Sequence, residues 1–144
     1  MATDVSTLSG AIVTKLQTVS ELNGVYNYEV AQPTNGQYPF ATVSIRNGTG
    51  VFGSNQRNIR KYTFTINVYQ ERTKAAMGSE NAETVIRTLI DSILTAFDND
   101  IRLGGACLWV EPLSYDANYI DREIGDTRIV QFQGVCTTSV PSLA

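Results

Sequence analysis

Residues 60–69, RKYTFTINVY, alternate apolar and polar side chains with a period of two. This alternation is typical of a β-strand that buries one face against a core. The apolar face carries Tyr62, Phe64, Ile66 and Val68, so we expect these four side chains to form part of the core. A strand with such a clear pattern makes a sheet the framework on which the rest of the chain is arranged.

Two other segments show the three- and four-residue spacing of amphipathic helices. In the first, apolar residues recur from Val5 to Val19, and the helix is expected to end near Asn23-Gly24, with Gly24 in the left-handed conformation. In the second, Ser79 is expected to cap a helix that lies across the sheet. Its broad apolar stripe consists of Ala82, Val85, Ile86, Leu89, Ile90, Ile93, Leu94 and Phe97.

Four further segments are expected to be strands, at residues 25–30, 40–46, 106–110 and 127–138. Residues 47–58 interrupt the alternation and are expected to form a hairpin loop. Gly104-Gly105 is expected to open the strand at 106–110, and Pro112 to end it. The polar stretch before the last strand is expected to be a connection, and it carries Asp116, Asp121, Glu123 and Asp126.

The resulting order of elements is α-β-β-β-α-β-β within 144 residues. The chain has no internal repeat, low-complexity tract or linker, and its length suits one core. We therefore expect a single α+β domain spanning residues 1–144. Its sheet should be mainly antiparallel, with about five strands and both helices packed on one face.

The absence of histidine is the composition feature that most restricts chemistry. It excludes Ser-His-Asp and Cys-His catalysis and histidine-based zinc sites, and the two cysteines cannot supply a four-thiolate site. The net charge of −3 argues against wrapping nucleic acid. No secretory leader or apolar membrane span is recognisable, so we expect a soluble cytoplasmic product. We expect no catalytic site, cofactor or metal.

The segment Gly48 to Gly53 matches the GxGxxG pattern of dinucleotide-binding loops. A strand is expected to follow it where the cofactor pattern requires a helix, so a hairpin loop is the favoured interpretation. Within it, Val51 and Phe52 are unusually apolar for a solvated loop. The segment either inserts against a neighbouring subunit or folds back on its own core. The candidate interface residues are Val51, Phe52, Arg57, Arg60 and Lys61.

Three other features have mainly structural interpretations. Cys107 and Cys136 are expected on the last two strands, where they would face each other across a hairpin centred near Asp121 and Arg122. A cross-strand disulfide between them is one interpretation, and two buried thiols are the favoured one. The segment Asp98-Asn99-Asp100 is expected to be a solvated turn after a helix, with a hard-cation site as the alternative. Trp109 is expected to complete a core or an interface, and ligand stacking is the less favoured role.

The chain resembles the tail terminator, or tail completion, proteins of long-tailed bacteriophages. The likeness spans nearly the whole chain. It comprises a short N-terminal helix, the segment Tyr38-Pro39-Phe40-Ala41-Thr42-Val43, a polar loop before the long strand at 60–69, the helix at 82–97 and a closing strand pair. These are loose patterns, and the family has no catalytic string to match.

The resemblance implies a structural virion protein of the tail or neck, assembled in the host cytoplasm. Such proteins form a hexameric ring that caps the finished tail tube, ends its polymerisation and presents a surface for joining the head. The implied partners are further copies of the chain, the tail tube protein and head–tail connector proteins, with DNA only as passing cargo and no membrane. The alternatives are another neck component, such as a head-completion or adaptor protein, and a small thiol- or carboxylate-dependent enzyme.

Overall fold

The fold is described from a computed structural model, which covers residues 5–28, 39–52, 57–71, 79–122 and 125–141. These residues contain two helices and six strands. The helices are α1 (Val5–Gln17) and α2 (Ser79–Asp98), and a 3-10 turn spans Leu103–Gly105. The strands are β1 (Gly24–Tyr26), β2 (Phe40–Phe52), β3 (Arg57–Glu71), β4 (Trp109–Val110), β5 (Ser114–Arg122) and β6 (Gly125–Pro141).

The strands form one mixed sheet whose order is β1-β2-β3-β6-β4, with β5 also paired to β6. Only the β1–β2 pair is parallel among the described strands. The central pair β3–β6 runs antiparallel for fifteen residues, from Arg57 opposite Pro141 to Glu71 opposite Thr127. Along its other edge β6 pairs first with β5 and then with β4. The expected α+β class, with helices and a mainly antiparallel sheet, is confirmed.

The core lies between the two helices and one face of the sheet. Phe64, Ile66 and Val68 of β3 are fully buried there, as the alternating pattern predicts, and Tyr62 packs partly buried beside them. The rings of Phe64 and Phe97 stack with centroids 6.1 Å apart and join the sheet to α2. The remaining core side chains from the helices include Leu8, Ile12, Leu16, Ile86, Leu89 and Ile93.

The opposite face of β3 is less open than its polar side chains suggest. Tyr69 is buried there, and its ring stacks on Phe40 with centroids 4.9 Å apart. The Tyr26 ring meets Phe40 edge-on at 6.1 Å. An aromatic cluster therefore closes the second face of the sheet at the β1 end.

Both expected connections are wrong over the residues that the structure describes, whereas residues 53–56 and Glu123 lie outside the described part. Residues 47–52 continue β2 and pair with β3, although their glycines have low strand propensity, because β3 supplies a continuous ladder of partners. The acidic connection is largely β5, since Asp116 and Asp121 lie opposite Gln131 and Asp126 of β6. Apart from β5, the elements follow the expected order α-β-β-β-α-β-β, and the sheet has six strands where about five were expected.

Several boundaries also differ from the expectation. Helix α1 ends at Gln17. The Thr18 N–H donates to the carbonyl of Lys15, three residues earlier, and the Thr18 hydroxyl donates to the same carbonyl, so the i to i−4 pattern of the helix stops here. Gly24 begins β1 and is not left-handed. β1 ends at Tyr26, and the expected strand residues 29 and 30 lie outside the described part. The last strand extends to 125–141 because β5 pairs with its first residues, from Gly125, and β3 pairs with it as far as Pro141.

Candidate functional site: the basic arm

The sheet continues past the helices as a hairpin arm. We define the basic arm as residues 47–52 of β2 and 57–61 of β3. It begins at a β-bulge, because the pairing of Ile45 with Phe64 is followed by that of Asn47 with Thr63, which leaves Arg46 without a partner in the ladder. A bulge bends its strand and increases its twist. Beyond Ile45, no described residue of β2 belongs to the core.

Two glycines leave β2 without side chains at two positions on one face of the basic arm. Gly48 lies opposite Tyr62, and a Cβ at Gly48 would approach the Tyr62 ring to 3.0 Å. Gly50 lies opposite Arg60, and a Cβ there would lie 3.5 Å from the guanidinium. The Tyr62 and Arg60 side chains thus lie close over the β2 backbone. Both are on the face that continues the core side of the sheet.

Phe52 ends β2 on the same face as Arg60 and is 71% exposed, the largest exposure among the large apolar side chains described. One of the two expected alternatives was that this segment folds back on the core of its own chain. The exposed Phe52 side chain does not do so. Arg60 and Lys61 are also exposed, on opposite faces of β3. Val51 pairs with Ile59 and Arg57 with Pro141 through the backbone. The candidate residues therefore lie on two paired strands and not in a loop.

Charge along the chain is segregated. Residues 30–70 contain four bases, Arg46, Arg57, Arg60 and Lys61, and no acid, whereas the whole chain has a net charge of −3. Residues 98–121 contain five acids and one base, Arg102. The basic arm and the segment after α2 therefore carry opposite charge.

A second apolar surface lies at the opposite edge of the sheet. We define the edge patch as Ile101, Leu108 and Trp109, which are 50%, 38% and 43% exposed. Trp109 lies opposite Thr137 of β6, and the Ile101 carbonyl accepts a 2.7 Å hydrogen bond from the Val110 N–H. Trp109 is one of the expected core or interface residues, whereas Ile101 and Leu108 give no signal in the sequence.

The two cysteines are free and buried. Cys107 lies in the bend before β4 and not on a strand, because the turn and bend that follow the 3-10 turn extend through Leu108. Cys136 lies on β6 and pairs with Val110. Burial raises the pKa of Cys107 to about 11, with help from the Asp100 charge, and that of Cys136 to about 12, with help from Cys107. Thiols with such pKa values are poor nucleophiles near neutral pH.

The carboxylate that follows α2 has structural partners. Lys15 donates to Asp100 across 3.0 Å, and the Gly104 N–H donates to the second carboxylate oxygen across 3.3 Å. These hydrogen bonds lower the pKa of Asp100. The arrangement ties α1 to the 3-10 turn. Within the described ranges, no group of three or more acidic or cysteine side chains is placed to hold a metal ion.

The GxGxxG segment has no helix after it in the described structure. Its residues 48–52 are extended in β2, residue 53 lies outside the described part, and β3 follows at Arg57. A phosphate there would meet no helix N-terminus, on which this motif depends. Among the described helices, none is both long and apolar enough to cross a membrane.

Comparison with known proteins supports the fold only. No family model and no curated protein matches the sequence. The chain is similar to a solved structure whose name describes no activity, with a TM-score of 0.50 and 15% identity over 95% of this chain and 94% of the other. At that identity the likeness concerns the fold, which both chains share over nearly their whole length.

Proposed function

We propose that this chain is a structural virion protein that forms a ring on the end of a bacteriophage tail tube, ends tube polymerisation and provides the surface for head joining. The proposal joins the family resemblance of the sequence to the geometry of the basic arm. Its partners would be further copies of the chain, with a hexamer as the expected ring, then the tail tube and head–tail connector proteins. DNA would pass through the ring as cargo.

The exposed ring of Phe52 at the end of the basic arm is the observation that carries this proposal. An aromatic side chain next to exposed bases is typical of a subunit interface, where aromatic and arginine residues contribute most of the binding energy. A neighbouring copy would also cover sheet edges, since β1 covers β2 only from Phe40 to Thr42 among the described strands. The two unreactive thiols give no support to the alternative of a thiol enzyme.

A second neck role fits the same features. A head-completion or adaptor protein would also be small, acidic and oligomeric, and would use an arm of this kind. The position of the protein in the assembled particle separates the two functions. Labelled protein would be expected at the head-proximal end of isolated tails, whereas an adaptor would be found on isolated heads.

Replacing Phe52 with Asp tests the interface. We expect Phe52→Asp to prevent or strongly weaken ring formation, because the carboxylate places an unpaired charge at the centre of the contact. Mass measurement in solution would follow the oligomer, and circular dichroism the fold. Tyr115→Asp, at an exposed aromatic residue on β5, is the matched control and should assemble normally.

Each outcome has a definite meaning. A folded monomer for Phe52→Asp and an oligomer for Tyr115→Asp would support the proposal. An unchanged oligomer for Phe52→Asp would show that the basic arm is not an anchor. A wild-type protein that remains monomeric at every concentration and on isolated tails would contradict the ring itself.

A further inference from the structure

We propose that the basic arm of one copy docks on the edge patch of the next copy, with Phe52 against Leu108 and Trp109 and the arm bases facing Glu111, directly after β4. This inference rests on the proposed ring and names its contact. It identifies the occupant of the edge patch as a second copy of this chain.

The first support is geometric. A closed ring of identical subunits needs a heterologous contact, in which two different surfaces of each subunit meet. The basic arm and the edge patch are two such surfaces, since the arm contains the β2 edge of the sheet and the patch lies at β4. Both lie toward the same end of the strands, because Lys61 and Trp109 are each opposite Thr137.

The second support is electrostatic. The four bases of residues 30–70 have no acid among them. Of the five acids of residues 98–121, Asp100 is paired with Lys15, and Asp116 and Asp121 lie on β5, opposite Gln131 and Asp126 and away from the patch. Glu111 is the acid directly beside β4. Arg60 and Lys61 are exposed on the arm, and Glu111, directly after β4, is exposed beside the patch. Opposite potentials of this kind orient two surfaces and suppress contacts between like surfaces, such as arm with arm.

The third support is the state of the β4 edge. The Val110 N–H already donates to the Ile101 carbonyl, so this part of β4 has its backbone donor satisfied within the chain. A partner at this edge therefore makes contact through side chains and not by adding a strand. The exposed Ile101, Leu108 and Trp109 provide the apolar surface for such a contact.

A disulfide between Phe52→Cys and Trp109→Cys tests the contact. Within one chain, Phe52 lies opposite Asn58 of β3, which lies opposite Val140 of β6, and Trp109 lies opposite Thr137 of β6. The two positions are thus three strand spacings apart across the sheet and about three residues apart along it, which separates their Cα atoms by about 17 Å. A disulfide requires Cα atoms within about 7 Å, so any 52–109 bond must join two chains. The native thiols, buried and with pKa values near 11 and 12, remain protonated at pH 8.

We expect the double variant, treated with a mild oxidant, to give a ladder of covalent multimers, and mass spectrometry to identify the 52–109 peptide pair. Phe52→Cys combined with Val5→Cys is the matched control, since Val5 is a similarly exposed apolar residue at the start of α1, and it should give no ladder. A 52–52 bond alone, or no bond in a protein that assembles, would overturn the docking proposal and leave the ring standing. A wild-type protein that never assembles would instead overturn the proposed function on which the docking rests.

Charge reversal gives a second measurement that keeps both aromatic anchors. We expect Arg60→Glu alone and Glu111→Arg alone each to raise the concentration of half-assembly by about tenfold, and their combination to recover most of that loss. Failure of the pair to recover would overturn the proposed pairing of surfaces. Binding of a short DNA duplex by the wild type but not by Arg60→Glu, without a 52–109 bond, would assign the basic arm to DNA and also overturn it.

Discussion

At the scale of single residues, Gly134 sets how closely the core packs on β6. It lies opposite Phe64, and a Cβ at this position would come within 2.5 Å of both the Phe64 ring and the Leu113 side chain. Leu113 is partly buried and can adjust, but Phe64 is fully buried and held against Phe97. The position therefore requires the absence of a side chain.

We expect Gly134→Ala to lower the free energy of unfolding by about 1–3 kcal/mol, because the added methyl overpacks the core. Urea denaturation followed by circular dichroism would measure it. Gly10→Ala is the matched control: Gly10 lies within α1, with nothing within 4 Å of the added Cβ, and alanine there should stabilise the chain by about 0.5–1 kcal/mol. A neutral Gly134→Ala would mean that the Phe64 ring has room to move.

At the scale of elements, the sequence predicts best where one side of an element faces the core. The stripe of α2 and the alternation of β3 both identify their buried faces, because helix and strand periods are imposed by burial. β5 and the outer half of β2 could not be predicted in the same way. Asp116 and Gly48 have low strand propensity, and their pairing comes from β6 and β3, which lie elsewhere in the sequence.

The candidate site could be predicted from the sequence only in part. Phe52 gives a signal because an aromatic residue among glycines is unusual in a solvated loop, and its exposure agrees with an interface role. The edge patch was not predictable beyond Trp109. Ile101 becomes a neighbour of β4 only through its hydrogen bond with Val110, nine residues later.

The junction between α1 and the 3-10 turn gives a pH-dependent prediction. The pKa of Asp100 is lowered in the folded state by Lys15 and by the Gly104 N–H, so the ionised carboxylate stabilises the fold above its ordinary pKa of 3.8. This contribution is lost as the pH falls through the lower folded-state pKa. We expect Asp100→Asn to lower the urea midpoint at pH 7, and we expect this difference to shrink as the pH falls below 3.8, because the wild-type carboxylate is then progressively protonated.

Asp98→Asn, which changes the net charge equally at an exposed position, is the control and should have a smaller effect at pH 7. If the Asp100→Asn difference persisted at low pH, the loss would come from packing and not from the ionised carboxylate.

At the scale of the whole molecule, the charge contrast between the basic arm and the acidic segment predicts a salt effect on assembly. Raising the ionic strength from about 0.05 to 0.5 M shortens the screening length to a few ångströms, so the attraction between exposed charges weakens. We expect the proposed ring to form more slowly and to dissociate at higher protein concentration in high salt. Sedimentation across a salt series would measure it, and assembly that strengthens with salt would show that apolar contacts dominate the interface.

The buried thiols have one more consequence. The chain has no histidine, and burial raises the pKa of Cys107 to about 11 and that of Cys136 to about 12, so neither residue type provides a group that titrates near neutral pH. If the chain assembles as proposed, a small change of pH around neutrality would therefore leave the charge of these residues unchanged between neighbouring copies. We therefore expect assembly of the proposed ring to change little with pH near neutrality.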